Sequence, residues 1–152
     1  MTKLGKQIAA LPIGRDKKGR LRVLMVTSRD TGRWVVPKGW MMEGTEPWAA
    51  AEIEALEEAG AIGYIATESI GVYHYDKILD NGERLPCRVH VYPMMIEKLR
   101  RDWKERRQRT RRWFSPASAA KRVDEPELAE LLRGLARKPR RQPVVGDLLK
   151  GS

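Results

Sequence analysis

The stretch GWMMEGTEPWAAAEIEALEEAGA, residues 39–61, holds both a strongly signalled helix and a concentration of acid. From Pro47 to Ala59 it is rich in Ala and Glu, with Pro in the first turn and Gly60 just past the end, so a helix is predicted over 47–59. At about 100° per residue, Glu54, Glu57 and Glu58 fall within an arc of roughly 100°. Ile53, Leu56 and Ala49 cluster on another arc, which is expected to pack on a sheet and turn the glutamates away from the core. Such a helix carries two electrostatic costs. The macrodipole disfavours negative charge in the last turn by about 0.3–1 kcal/mol per group, and like charges three or four residues apart repel by a few tenths more.

The rest of the chain makes that acid stand out. The protein has 152 residues, 30 Lys+Arg against 20 Asp+Glu, and a net charge of +10. The excess is uneven: residues 1–38 carry +8, residues 39–72 carry −7 with no Lys or Arg at all, and residues 73–152 carry +9. A net positive charge alone points to a nucleic acid partner, but a plain nucleic-acid binder has no use for seven carboxylates in one segment. Clustered carboxylates become favourable when a hard divalent cation binds them together with water and phosphate oxygens, while Lys and Arg balance the remaining phosphate charge. The charge map therefore fits a metal-assisted reaction on a small polyanion.

Outward from the helix, RLRVLMVTSR (20–29) reads as a buried strand, followed by a turn at DTG and a short strand RWVV that Pro37 and Gly39 break. Short strands are predicted at 62–67 and 70–75. CRVHVYPMMI (87–96) alternates, with Arg88, His90 and Tyr92 on one face and Val89 and Val91 on the other. RRDWKERRQRTRR (100–112) reads as a basic loop before a short WF strand, and SPASAAKRV and EPELAELLRGLARK as two helices. The expected architecture is α+β, a mixed β-sheet flanked by helices, in one domain over 1–138, with residues 139–152 a flexible C-terminal tail. No apolar run approaches the roughly 20 residues of a membrane helix, and the first 20 residues lack the pattern of a secretory signal. The single cysteine, Cys87, forms no internal disulfide and reads as a buried small hydrophobe, which suggests a reducing cytoplasm.

Residues 39–61 resemble the Nudix box, whose pattern is G, five residues, E, seven residues, then R-E-aliphatic-x-E-E-x-G-aliphatic. Gly39, Glu54, Glu57, Glu58 and Gly60 are in register, Ala55 and Ala61 take the aliphatic places, and VVPKGW before the box is also Nudix-like. Thr45 stands in place of the first glutamate, with Glu46 one residue late, and Ile53 in place of the arginine that orients a box glutamate in the family. The resemblance covers roughly residues 5–135 and looks closest to the diphosphoinositol polyphosphate and diadenosine polyphosphate hydrolases, through TSRDTGRWVVPKGW, the Asp102-Trp103 pair and RTRRWFS.

This resemblance implies an α/β/α sandwich and hydrolysis of a phosphoanhydride bond with Mg²⁺ or Mn²⁺. The ion would be held by Glu54, Glu58 and the carbonyl of Gly39, with Glu57 a further ligand or the base that deprotonates water. It also implies that Ser28, Arg29, Lys38, Arg88, His90, Arg109 and Arg111 grip the polyphosphate. Tyr73 and Tyr75 are read as sheet packing in preference to base stacking. The substrate class implied is a small-molecule polyphosphate, a dinucleoside polyphosphate or diphosphoinositol polyphosphate. An RNA 5′ end is a secondary candidate, and a non-catalytic nucleotide- or RNA-binding module is the reading that Thr45 and Ile53 suggest. Oligomeric state is not legible.

Overall fold

The computed structural model describes residues 3–151. In chain order it comprises β1 (Gly5–Arg15), β2 (Leu21–Thr27), β3 (Trp34–Val35), β4 (Lys38–Trp40), α1 (Pro47–Ala59), β5 (Ala61–Ile65), β6 (Gly71–Ile78), β7 (Arg84–Leu99), β8 (Arg111–Phe114), α2 (Pro116–Arg122), α3 (Pro126–Arg137), a 3₁₀ turn at Pro139–Arg141 and α4 (Pro143–Lys150). The strands form one mixed sheet. Its centre is the parallel pair β1–β7, running from Gly5 opposite Cys87 to Ile13 opposite Met95. β2 and β4 pair antiparallel with β1, β5 and β6 antiparallel with β7, and β3 and β8 extend β2.

Both faces of the sheet are covered, as the expected sandwich requires. On one face α1 packs over Ile8, Ala10, Leu24, Val26 and Met94. On the other, Ala9, Leu11, Val23, Met25, Val89 and Val91 meet Leu128 and Leu132 of α3 and Val145 and Leu149 of α4. The alternation of β1 between these two cores fixes the sheet's geometry: odd-numbered residues from Ala9 face α2–α4, even-numbered ones face α1.

The predicted helix is observed at Pro47–Ala59, closed by Gly60 at φ 64°, the left-handed conformation of a C-terminal glycine cap. Its orientation differs from expectation. Ala50, Ala51, Ala55, Glu58 and Ala59 are buried, while Ile53 and Leu56 are each 38% exposed. Alanines let the helix backbone lie close to the sheet, so the helix settles on the row Ala51, Ala55, Ala59. The next row, Ala50, Glu54, Glu58, lies beside it at the same four-residue spacing. Two glutamates thereby face inward, and the third, Glu57, belongs to the outer row with Ile53.

Three further differences have physical reasons. β1 is missed by alternation because IAALPI is buried on both faces and rich in Ala and Pro. β4 forms although Pro37 and Gly39 interrupt the sequence, because it pairs with β1 over three residues. Of residues 139–152, expected to be a flexible tail, 139–150 instead contain the 3₁₀ turn and α4, with Val145 fully buried and Leu149 4% exposed, while Ser152 lies outside the described residues. Among the described residues, no helix is long and apolar enough to cross a membrane.

Candidate functional site

The site is built where β4 passes the C-terminal half of α1. In the antiparallel pairing with β1, Lys38 lies opposite Ala9, Gly39 opposite Ile8 and Trp40 opposite Gln7. Gly39 therefore has the parity of Ile8, the α1 face. A Cβ added there would fall on the carboxylate of Glu54. A glycine at this position is what allows the acid to approach the backbone so closely. Glu58 is only 6% exposed. Its Oε1 accepts the backbone N–H of Lys38 at 3.2 Å, and its Oε2 lies 3.5 Å from Nη2 of Arg109.

Glu54 and Glu58 open onto a cavity of about 380 Å³ whose cationic wall is Arg29, Lys38, Lys77 and Arg109. Burial pushes the Glu54 carboxyl up to about 7, Glu57 and Glu105 adding repulsion while Arg109 and Lys104 oppose it. Burial likewise pushes Glu58 up to about 7; Arg109 opposes the rise and Glu54 adds to it. Lys38 is shifted the other way, its ammonium pushed down by burial and partly restored by Glu58. Carboxylates whose ionised form burial disfavours are the groups a bound cation would relieve.

Among the described residues, no three His, Cys, Asp or Glu side chains converge as a metal cluster. The carboxylates that do share the cavity are those of Glu54 and Glu58, with Asp30 and Glu105 also on its wall. This all-oxygen, negatively charged set has the donor chemistry of Mg²⁺ or Mn²⁺, which bind through one or two carboxylates and complete their shells with water and phosphate. The residues present fit such an ion, with Glu54 and Glu58 as its protein carboxylates.

The remaining expected site residues divide. Ser28, Arg29, Lys38, Gly39 and Arg109 line the cavity with the two glutamates. Ser28 shapes the β2–β3 turn, its Oγ 2.6 Å from Oγ1 of Thr31 and accepting the Thr31 N–H. Arg29 projects from that turn, 61% exposed, with Glu105 at 3.9 Å. Glu57 faces a neighbouring depression, where Lys104 lies 3.5 Å away. Arg111 lies elsewhere, donating to the carbonyl of Ala59 at 2.8 Å with its guanidinium 3.9 Å over Trp103. Arg88 is exposed and donates to His74 at 3.4 Å, and neither it nor half-buried His90 lines the cavity.

Tyr73 is buried in the sheet core. Tyr75 donates its hydroxyl to Gln7 at 2.6 Å, with the Lys38 ammonium 5.1 Å from its ring. Sequence reading missed Gln7, Asp30, Lys77 and Glu105 as polar cavity residues. Lys77 was reachable from the alternation Tyr73, Tyr75, Lys77 in β6, and Glu105 from its four-residue spacing to Arg109; Gln7 depends on strand register alone.

Comparison with known proteins gives consistent relatives. A family model described as "NUDIX domain" matches residues 5–135. The chain is 33% identical over 134 residues to human diphosphoinositol polyphosphate phosphohydrolase 3-beta, covering 86% of this chain and 77% of that protein. It is 30% identical over 109 residues to Nudix hydrolase 12, mitochondrial, of Arabidopsis thaliana, covering 70% of this chain and 54%, about half, of that protein. Among solved structures, a C. elegans Ap4A hydrolase superposes with a TM-score of 0.64 at 18% identity, over 89% of this chain and 98% of that one. The E. coli dihydroneopterin triphosphate pyrophosphohydrolase gives 0.67 at 16% identity, over 87% and 94%. At such identities the structural likeness is one of fold.

Proposed function

The chain belongs to the Nudix family of hydrolases, and from that premise we propose that it is a divalent-cation-dependent pyrophosphohydrolase acting on a small polyphosphate. The substrate class we favour is a dinucleoside polyphosphate or a diphosphoinositol polyphosphate. One observation carries the reading: two inward-facing carboxylates, Glu54 and Glu58, share a cavity of about 380 Å³ with the cations Arg29, Lys38 and Lys77. A site of that size suits a few phosphate groups, and its charges divide as phosphoryl transfer needs, acids for a cation and bases for phosphate.

In this reading Glu54 and Glu58 would hold Mg²⁺ or Mn²⁺, and the ion would supply neutralisation of phosphate oxygens and activation of a water molecule at neutral pH. The chain's own groups do the positioning. The Lys38 N–H and the Arg109 guanidinium fix Glu58 from two sides. Gly39 leaves room for Glu54. Arg29 and Lys77 meet the phosphates on the open side and orient the anhydride for attack. Glu57 joins the carboxylate set only when its side chain leaves Lys104, a rotamer change open to a partly exposed glutamate. Cys87, buried and without a cysteine partner, fits a reducing compartment such as the cytoplasm.

The test is phosphate release with Mg²⁺ across dinucleoside polyphosphates, diphosphoinositol polyphosphates, nucleoside triphosphates, nucleotide sugars and 5′-triphosphate RNA, run beside E54Q and E58Q. Turnover of a polyphosphate that needs the metal and is lost in both variants is the expected result. Equal activity in the variants would remove the assignment, and metal-independent binding without turnover would favour the non-catalytic module.

A further inference from the structure

Arg109 lies in the loop 100–110 between β7 and β8, with its side chain only 9% exposed. Its guanidinium is already committed. Nε donates to Glu105 Oε1 at 2.7 Å, Nη1 to the carbonyl of Thr27 at 2.9 Å, and Nη2 lies 3.5 Å from Glu58 Oε2. A planar fork recognises phosphate by offering two parallel N–H groups. Here two N–H groups are bonded to protein oxygens and Nη2 is ion-paired with Glu58, so the fork is turned toward the chain's own oxygens.

We infer that Arg109 is a positioning residue that fixes the Glu58 carboxylate for the metal, and not a phosphate ligand. The inference rests on the reading of Glu58 as a metal carboxylate given above. Three observations carry it. First, α1 has no cation of its own to steady its acids: residues 39–72 contain no Lys or Arg, and Ile53, where the resemblance expects an arginine, is 38% exposed. Countercharge has to come from another element. Second, both oxygens of Glu58 are engaged, Oε1 accepting the Lys38 N–H of β4 and Oε2 ion-paired with Arg109 of the loop, which limits the rotation of its carboxylate.

Third, the loop is docked on the last turn of α1 by contacts that do not involve Arg109. The Trp103 indole N–H donates to the Glu58 carbonyl at 3.0 Å, the Glu105 N–H to the Glu57 carbonyl at 3.1 Å and the Arg100 N–H to the Gly60 carbonyl at 2.9 Å. These bonds also satisfy helix-end carbonyls. The loop therefore stays seated when Arg109 is changed, and what is lost is the orientation of the Glu58 and Glu105 carboxylates. In metal sites, loss of a group that orients a ligand lowers affinity or activity by about 10- to 100-fold.

The test compares R109Q and R109K with wild type by Mn²⁺ binding, followed by the EPR signal of free Mn²⁺, and by the KM and kcat for diadenosine tetraphosphate. Circular dichroism and thermal melts check folding. Both variants are expected to fold, to bind Mn²⁺ about 10- to 100-fold more weakly and to lose kcat by a similar factor, with KM at saturating metal within about threefold of wild type. Lysine separates the two roles, because it binds phosphate well as a point charge yet has one nitrogen where three are used. Rescue by R109K, or unchanged Mn²⁺ affinity with a KM raised tenfold, would overturn the inference in favour of phosphate binding. A wild-type protein that neither binds Mn²⁺ nor turns over would remove the underlying reading of the site, and the inference with it. If R109Q does not fold, the lysine variant decides the question by the same Mn²⁺ comparison.

Discussion

The carboxylate of Glu54 occupies the space that any side chain at position 39 would need. One residue comes from a three-residue strand paired with β1, the other from the inward row of α1, so the contact joins the two elements that frame the cavity. A G39A substitution forces either the strand or the carboxylate aside. Because a displacement of about 1 Å at reacting groups costs on the order of 100-fold in rate, G39A is expected to lose about that much of its kcat while remaining folded. Steady-state kinetics with a parallel thermal melt check this; kcat within threefold of wild type would show that the close approach is dispensable.

Glu58 ties the stability of the metal-free protein to pH. Its folded pKa of about 7 stands above the ordinary 4.5 of an unfolded glutamate. Below about 4.5 both states hold the proton; between 4.5 and 7 the unfolded chain loses it first, so stability falls as pH rises, by on the order of 3 kcal/mol in total for this group. Glu54, also near 7, adds to the same trend but is partly solvated and contributes less. A bound cation favours the ionised acids, so Mg²⁺ is expected to raise Tm more at pH 8 than at pH 5.5. E58Q removes the larger contribution. Melting curves of metal-free wild type and E58Q that track each other over pH 5–8 would refute the assignment.

How much of this was readable beforehand depends on which interactions are local. The helix at Pro47–Ala59 and its Gly60 cap follow from composition and one glycine, and the acidic island from counting charges. The rotation of that helix does not. Apolar periodicity favours burying Ile53 and Leu56, but close packing of Ala51, Ala55 and Ala59 against the sheet wins, and this turns Glu54 and Glu58 inward. β1 lacks alternation because both its faces are covered. Gln7 reaches the site only because the β1–β4 register sets it opposite Trp40. Arg109 is basic in a basic loop; its four-residue spacing to Glu105 is visible in the sequence, but nothing there says that it also meets Glu58 and the carbonyl of Thr27.

The same rotation ranks the three box glutamates. Glu54 and Glu58 are on the inward row, while Glu57 is on the outward row with Lys104 at 3.5 Å. E57Q is therefore expected to weaken Mn²⁺ binding at least about tenfold less than E54Q or E58Q. Parallel Mn²⁺ titrations of the three variants decide it. Equal losses would mean that Glu57 swings into the site when the ion binds.

The last helix makes a prediction opposite to that of a flexible tail. Leu149 is 4% exposed in the core that α4 shares with α3 and the sheet, and its carbonyl accepts a hydrogen bond from Nη2 of Arg15 at 3.0 Å, so α4 is tied to the end of the central strand β1. Truncating a buried leucine to alanine costs about 2–5 kcal/mol, the higher end applying where the site cannot collapse. Collapse at a terminal helix is easier than in the middle of a sheet, so L149A is expected near the lower end, about 2 kcal/mol. Chemical denaturation should show that loss with an unchanged m-value, since the surface exposed on unfolding barely alters. A loss below 0.5 kcal/mol would place L149A among ordinary surface substitutions and show α4 undocked in solution. The cavity lies at the β4–α1 side, lined by neither α4 nor Leu149, so L149A should retain wild-type KM for the polyphosphate substrate.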